Sequence, residues 1–190
     1  MRIVAGRYRG LPLLAPRGLN TRPTAQRARE SLFNHLQHQR LPHGFIDLRV
    51  LDLYAGTGAL GIEALSRGAC HATFIESGPE ALHALRSNLS ACRAQDDATR
   101  VLTAPLPQSL HTLHGHPFDL IFADPPYDLP MPPALFAALA TPRLSHPNTL
   151  LLVEHRARSG PPDATPWRWL DTRPAGEGAF SFFQHPDATA

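Results

Sequence analysis

Short apolar runs alternate with amphipathic stretches through most of the chain. Each run has four to six residues, the length of a strand buried inside a sheet. The runs predict strands at residues 49–54, 71–76, 100–103, 118–123 and 149–154. The stretches between them repeat at helical spacing and predict helices at residues 58–67, 80–91 and 133–140, with a weaker helix at 108–113. This alternation predicts an α/β fold with a mostly parallel sheet and helices on both faces.

The C-terminal part has a different pattern. Extended runs at 167–173 and 179–184 flank a short Pro- and Gly-containing connection at 174–178, which is typical of a β-hairpin. The sheet is therefore predicted to end in an antiparallel pair. The Pro- and Arg-rich residues 155–166 predict a loop, and we expect residues 186–190 to form a frayed tail.

The N-terminal part precedes the alternating pattern. Extended runs at 2–5 and 11–15 flank an arginine-bearing turn at 6–10, which predicts a small β-hairpin. Thr24 is a suitable N-cap for a helix that runs to about His38. The predicted organisation is an extension at residues 1–44, a main domain at residues 45–185 and the tail.

Composition and charge narrow the class of protein. The chain has 190 residues, of which 43% are hydrophobic. Its only cysteines are Cys70 and Cys92, so a fold held together by several disulfides is excluded and a cytoplasmic setting is expected. No apolar run approaches the roughly 20 residues of a membrane helix. The net charge is +2, but the first forty residues hold eight arginines and one acid, Glu30. This basic block indicates a polyanion such as nucleic acid, the alternative being a solvated surface with chance clustering.

The first predicted strand leads directly into a glycine-rich turn and a helix. Gly56, Gly58 and Gly61 follow the strand, a pattern typical of a nucleotide-binding crossover whose helix N-terminus faces the ligand. Asp52 lies within the strand, and Glu76 closes the next strand, where a carboxylate can accept hydrogen bonds from ribose hydroxyls. These features fit NAD and S-adenosylmethionine equally. The alternative is that Asp52 caps the loop and Glu76 is a solvent-exposed charge.

A second motif, Asp124-Pro125-Pro126-Tyr127, directly follows the apolar strand at 118–123. It therefore lies at the carboxyl end of a strand, where open α/β sheets bind ligands. The prolines stiffen the turn and remove two N–H donors, so that the Asp124 carboxylate and the Pro125 carbonyl can accept both hydrogens of an amino group. Tyr127 can stack on a flat base. The alternative is a turn that only ends the strand.

The cofactor loop resembles that of Rossmann-like class I S-adenosylmethionine methyltransferases, and the second motif resembles that of enzymes that methylate exocyclic amines. The N-terminal sequence narrows the resemblance further, through residues 1–10, Asn20-Thr-Arg-Pro-Thr24 and Arg27-Ala-Arg-Glu30. With these segments, the chain resembles the RsmD family of bacterial 16S rRNA guanine-N2 methyltransferases from residue 1 to about 185. The resemblance implies a seven-stranded sheet. It also implies a substrate that is an assembled or precursor small ribosomal subunit. We expect a monomer.

The resemblance assigns roles to residues in three groups. It implies that S-adenosyl-L-methionine is bound by Asp52, Tyr54, Gly56, Gly58, Glu76 and Ser77. It implies that the target base is held by Asp124, Pro125, Pro126 and Tyr127. The candidates for RNA phosphate contacts are Arg7, Arg9, Arg22 and Arg27, although the last two could instead brace the N-terminal segment against the cofactor pocket. One departure from the family is Pro105, which stands where an acidic residue usually contacts the adenine.

Three other functions fit part of the sequence. A DNA adenine-N6 methyltransferase shares the chemistry but needs a larger target-recognition region, and a nicotinamide-dependent oxidoreductase leaves the Asp124 motif without a task. An inactive RNA-binding module is the third, in view of Pro105. The histidines at 111, 114 and 116 lack the spacing of a metal site and are interpreted as surface residues, so no metal is predicted. Glu30 and Glu154 are interpreted as structural ion-pair partners.

Overall fold

The structure, a computed structural model, describes residues 1–16, 23–94 and 97–188. The α-helices are α1 (Pro23–His35), α2 (Ala59–Ser66), α3 (Pro79–Ala91) and α4 (Pro133–Leu139). The strands are β1 (Arg49–Leu53), β2 (His71–Ile75), β3 (Thr99–Leu102), β4 (Phe118–Ala123), β5 (Ser145–Arg156), β6 (Arg168–Ala175) and β7 (Gly178–Gln184). A π-helical turn at Leu36–Arg40 extends α1, and 3₁₀ helices cover Gln108–Thr112 and Ala157–Ser159.

The seven strands form one sheet in the order β3-β2-β1-β4-β5-β7-β6. The pairs from β3 to β5 are parallel, and β7 pairs antiparallel with both β5 and β6. The predicted Rossmann-like sheet with a C-terminal antiparallel hairpin is confirmed. The chain moves from β1 outward to β3 and then returns to place β4 on the other side of β1. This reversal opens a crevice at the carboxyl ends of β1 and β4, where open α/β sheets bind ligands.

Alternate residues of the central strands build two apolar layers, one on each face of the sheet. The first layer includes Val50 of β1 and packs against α1 and α2, represented by Phe33 and Ile62. The second layer includes Leu51 and packs against α4, represented by Phe136. Strands β1, β2 and β4 are therefore buried on both sides, as expected for the centre of a parallel sheet.

The N-terminal hairpin is less regular than predicted. A single antiparallel bridge joins Arg2 and Pro12, and no strand is formed in the described part of this segment. Three backbone hydrogen bonds still join the two arms of the hairpin, from the N–H groups of Ile3, Gly10 and Leu13. Beyond them, the N–H groups of Val4 and Ala5 donate to the side chain of Glu63 on α2. The segment therefore lies against α2 as an irregular strap.

Three boundaries also differ from the prediction. Strand β5 continues to Arg156, so the predicted loop at 155–166 begins later, because β7 pairs with β5 out to that residue. The first helix ends in the π-helical turn, two residues beyond the predicted end. In the predicted tail, the N–H of Ala188 donates to the carbonyl of His185, so residues 185–188 form a turn. Among the described residues, no helix combines the length and the apolar character that crossing a bilayer requires.

Candidate active site

A cavity of about 340 Å³ occupies the crevice at the carboxyl ends of β1, β4 and β5. Three carboxylic acids from these three strands line it: Asp52, Asp124 and Glu154. The glycine loop contributes Tyr54, Ala55, Gly56 and Thr57, and the N-terminal region contributes Met1, Ala15, Ala28 and Arg29. The sheet edge thus brings the two predicted motifs together in one site.

The glycine loop turns sharply between β1 and α2. Gly58 is the residue before the first turn of α2 and has φ +77°, a conformation that residues with a side chain rarely adopt. A Cβ atom at Gly58 would lie 2.4 Å from Cδ1 of Leu85, so helix α3 also requires glycine here. Tyr54 and Gly56 have positive φ as well, at 56° each. Of the predicted cofactor residues in this loop, Tyr54 and Gly56 line the cavity, whereas Gly58 fixes the turn without lining it.

Asp52 connects the first strand to the helix that follows it. Its Oδ2 atom accepts a hydrogen bond of 2.9 Å from the N–H of Gly61, and its side chain is 1% exposed. Burial raises the pKa of Asp52 to about 7, although the Gly61 hydrogen bond opposes the shift and repulsion from Glu76 adds to it. Asp52 thus caps the turn, as the alternative interpretation held, and also contributes to the cavity wall.

Glu76 binds backbone groups of two loops. Its Oε2 atom accepts from the N–H of Gly56 at 2.8 Å, and its Oε1 atom accepts from the N–H groups of Ser77 and Gly78 at 2.8 and 2.7 Å. The carboxylate therefore holds the glycine loop to the end of β2. Its contact with a ribose remains a prediction, as does a role for the exposed Ser77.

Asp124 and Glu154 lie side by side on neighbouring strands. Ala123 pairs with Val153, so the two acids occupy the next register position, on strands about 4.8 Å apart. Asp124 lines the cavity and is exposed to solvent. Burial raises the pKa of the Asp124 carboxyl well above its usual range, and repulsion from Glu154 and Asp52 raises it further. Burial also raises the pKa of Glu154.

Tyr127 stands beside the cavity and is 41% exposed. Its hydroxyl donates to Oε1 of Glu154 at 3.2 Å, and the guanidinium carbon of Arg156 lies 5.0 Å from its ring centre. Arg156 in turn pairs with Asp128 at 3.1 Å. Tyr127 is outside the set of residues that line the cavity, so its stacking on a base remains a prediction, as do the roles of Pro125 and Pro126.

The N-terminal strap is held by a buried carboxylate. Glu63, which is fully buried, accepts from Val4 N–H at 2.8 Å and Ala5 N–H at 3.0 Å, and pairs with Arg67 at 3.0 Å. Arg29 lies 3.9 Å from Glu63 and also donates to the carbonyl of Arg2. The strap and α1 are thereby fixed where they form one wall of the cavity.

The predicted RNA-binding arginines are dispersed. The backbone N–H of Arg7 donates to the carbonyl of Ser66 at 2.8 Å, and its side-chain Nε donates to the carbonyl of Leu65 at 3.2 Å. This position is at the C-terminal end of α2, roughly 12 Å from the glycine loop for a helix of eight residues. Arg9 is exposed on the same turn, and Arg27 is exposed on α1 next to Ala28 of the cavity wall. Arg22 lies outside the described residues.

Two residues of the site differ from their sequence interpretation. Glu154 was expected to be an ion-pair partner, and this was wrong, because it faces the cavity and bonds Tyr127. Its position directly after an apolar run, like those of Asp124 and Glu76, is the feature that could have indicated it. Arg29 was not proposed at all, whereas it is Arg29 that braces the N-terminal segment against the pocket.

Comparisons with known proteins agree with this geometry. A family model described as "Conserved hypothetical protein 95" matches residues 1–184. Ribosomal RNA small subunit methyltransferase D of Haemophilus influenzae is 33% identical over 188 residues, which cover 96% of this chain and 91% of that protein. The chain belongs to the RsmD family of rRNA methyltransferases. The resemblance drawn from the sequence is confirmed.

Solved structures of RsmD-like proteins share the fold. The putative methyltransferase yhhF from Escherichia coli has a TM-score of 0.79 and 34% identity, and the match covers 97% of each chain. The putative methyltransferase SMU.776, complexed with S-adenosylhomocysteine, has a TM-score of 0.60 over 82% of this chain and 49% of that chain. Because it is only 15% identical, it shows a likeness of fold alone. S-adenosyl-L-methionine is the predicted cofactor of this RsmD-family chain, and the methyltransferase names of its relatives agree with that prediction.

Proposed function

We propose that this RsmD-family protein transfers a methyl group from S-adenosyl-L-methionine to the exocyclic N2 amine of a guanine in 16S rRNA. The substrate is the RNA within an assembled or precursor small ribosomal subunit, in keeping with the name of the Haemophilus influenzae relative. The observation that supports the proposal best is the position of Asp124. It faces the same cavity as the glycine loop, so an amine held by Asp124 lies next to the cofactor site.

The protein has to align the amine more than to activate the methyl group. When bound, S-adenosyl-L-methionine supplies an activated methyl on a sulfonium that leaves as a neutral thioether. The residues expected to hold it are Asp52, Tyr54, Gly56, Gly58 and Glu76. Asp124 and the Pro125 carbonyl accept the two amine hydrogens, which directs the nitrogen lone pair toward the methyl group, and such positioning accounts for a large part of enzymatic rate. The guanine has to leave its RNA stack to enter the cavity.

Proton transfer completes the reaction. As the N–CH₃ bond forms, the methyl group's bond to the leaving thioether would break and the positive charge would pass to N2, which then loses one proton. Asp124 accepts a hydrogen bond from that N–H and is the base nearest to the nitrogen in this arrangement. The raised pKa of the Asp124 carboxyl makes it a better proton acceptor than an ordinary aspartate, because a general base works best when its pKa is near the working pH.

The test is methyl transfer by an Asp124→Asn variant. We expect the rate of tritiated-methyl transfer to small-subunit particles lacking the modification to fall roughly 10²-fold or more, the scale for removing one preorganised polar contact. Affinity for the cofactor, measured by calorimetry, should change by less than about fivefold, because Asp124 is assigned to the base. Asp128→Asn is the matched control, since Asp128 is four residues along the same loop and 94% exposed.

Two outcomes would contradict the proposal. An Asp124→Asn enzyme with turnover like that of the wild type would remove Asp124 from the chemistry. Efficient methyl transfer to adenine in duplex DNA, with none to small-subunit particles, would replace the rRNA substrate by DNA. Mapping the methylated nucleotide in the wild-type product by mass spectrometry then identifies the base and the nitrogen.

A further inference from the structure

Glu154 is a second carboxylate on the base side of the cavity, and the mechanism above gives it no task. It occupies the register position beside Asp124, on the adjacent strand β5, and contributes to the cavity wall. Its Oε1 atom accepts from the Tyr127 hydroxyl at 3.2 Å. Within the described residues, Glu154 Oε2 and both side-chain oxygens of Asp124 make no hydrogen bond. These oxygens line the cavity without a partner from the described protein, so they are available to accept hydrogen bonds from a ligand.

The contact between Glu154 and Tyr127 is built into the fold. A Cβ atom at Gly178 of β7 would lie 2.5 Å from the Tyr127 hydroxyl oxygen and 3.0 Å from Glu154 Oε1, so glycine leaves the space that this pair occupies. The Arg156 guanidinium covers the Tyr127 ring from another side. Glu154 is thereby held in one orientation, with Oε1 engaged and Oε2 available.

Guanine has the donors that these acceptors require. Its Watson–Crick edge carries two donors on neighbouring atoms, the N1–H and the N2 amine, whereas adenine presents an acceptor at N1. We propose that Glu154 selects guanine by accepting the N1–H through Oε2, while Asp124 and the Pro125 carbonyl hold the N2 amine. This inference deepens the proposed function and rests on it. A carboxylate facing the lone pair of adenine N1 would instead be repelled, which disfavours adenine at this site.

The test uses a base that keeps the amine and loses the N1 proton. In 2-aminopurine the exocyclic 2-amine is retained, but N1 is an acceptor. Small-subunit particles are reconstituted with 16S rRNA that carries either guanine or 2-aminopurine at the methylated position, which is first mapped on the wild-type product. The measured quantity is the ratio of kcat/KM for guanine to kcat/KM for 2-aminopurine, in the wild type and in Glu154→Gln.

We expect the wild type to prefer guanine by about 10²-fold, in the range for a hydrogen bond to a charged group. In Glu154→Gln the side-chain amide can donate to N1 of 2-aminopurine, so the preference should fall to about tenfold or less. Tyr127→Phe is the control, because it keeps the carboxylate and removes only its hydroxyl partner. It should slow both substrates alike and leave the ratio within about threefold of the wild-type value.

The other possible results separate the role of Glu154 in selecting guanine from the proposed function itself. A wild-type enzyme that methylates guanine but has the same preference as Glu154→Gln would refute the role of Glu154 and leave the proposed function intact. A wild-type enzyme that transfers no methyl to guanine would refute the proposed function itself. Where Glu154→Gln is too slow for turnover, competition binding of the two particles gives the same ratio as relative affinity. Equal changes for both particles would show that Glu154 only supports Tyr127.

Discussion

Replacing Asp52 by asparagine should stabilise the cofactor-free protein at alkaline pH. Asparagine has nearly the same shape, and its Oδ1 atom can still accept the hydrogen bond from Gly61. The Asp52 carboxyl, however, has its pKa raised by burial from 3.8 to about 7. Between these two values the folded protein binds a proton that the unfolded chain does not, so stability falls as pH rises through this window. The full cost is present above about pH 7 and absent below about pH 4.

The magnitude follows from the two pKa values. A carboxyl shifted from 3.8 to about 7 costs roughly 4 kcal/mol of stability when ionised, as an upper figure because the cavity admits water. We expect Asp52→Asn to gain at least about 1 kcal/mol at about pH 8, which is a rise of about 2–4 °C in Tm for a domain of this size. At about pH 4 the gain should vanish, because Asp52 is then mostly protonated.

The assay is thermal unfolding followed by circular dichroism at several pH values, without cofactor. Adding saturating S-adenosyl-L-methionine should stabilise the wild type more than Asp52→Asn, since a ligand that binds only the folded state adds its binding free energy. If the variant and the wild type have equal Tm values at about pH 8, or if the gain is the same at every pH, the reasoning about Asp52 is wrong. In the latter case the effect comes from packing and not from charge.

Three further changes test other parts of the site. Glu63→Gln should lower the free energy of unfolding by about 3 kcal/mol, because it removes the buried negative charge that faces Arg29 and Arg67 and accepts from the Val4 N–H. An unchanged thermal unfolding curve would contradict this. Glu76→Ala should raise the KM for the cofactor more than it lowers kcat, because Glu76 holds the glycine loop, and steady-state kinetics with a reversed pattern would oppose that role. Arg7→Gln and Arg27→Gln should each reduce the salt slope of RNA binding by about 0.7–0.9, because both side chains are exposed; an unchanged slope would remove that arginine from the RNA-binding surface.

The sequence predicts the sheet and its ligand edge because those features are local. An apolar run followed by a glycine turn or by Asp124-Pro125 is complete within about ten residues, and the position of each strand's carboxyl end follows from parallel pairing. The antiparallel pair β6–β7 is likewise encoded in two runs and a short connection.

Glu63 shows why other features could not be predicted. In the sequence it is one acid within an apolar helix, and the only partner that the spacing indicates is Arg67, four residues further along. Its hydrogen bonds to Val4 and Ala5 join residues 59 and 58 positions apart, and they form only because α2 is packed on the sheet with its buried face toward the N-terminal strap. The same holds for Glu154, whose neighbour Asp124 is set by strand register, a property that periodicity in one strand does not contain.

These long-range contacts hold the N-terminal extension in place as part of the cavity wall. Met1 and Ala15 of the N-terminal segment and Arg29 of α1 line the same cavity as the glycine loop. The strap is held by Glu63, a carboxylate on α2, which is the helix that follows the glycine loop. A ligand that binds the glycine loop should therefore also stabilise the contact between the strap and α2, because the loop and the strap are both attached to that helix. Stability and cofactor affinity should then change together in Glu63→Gln, which loses the strap anchor, and separately in Asp52→Asn, which keeps it.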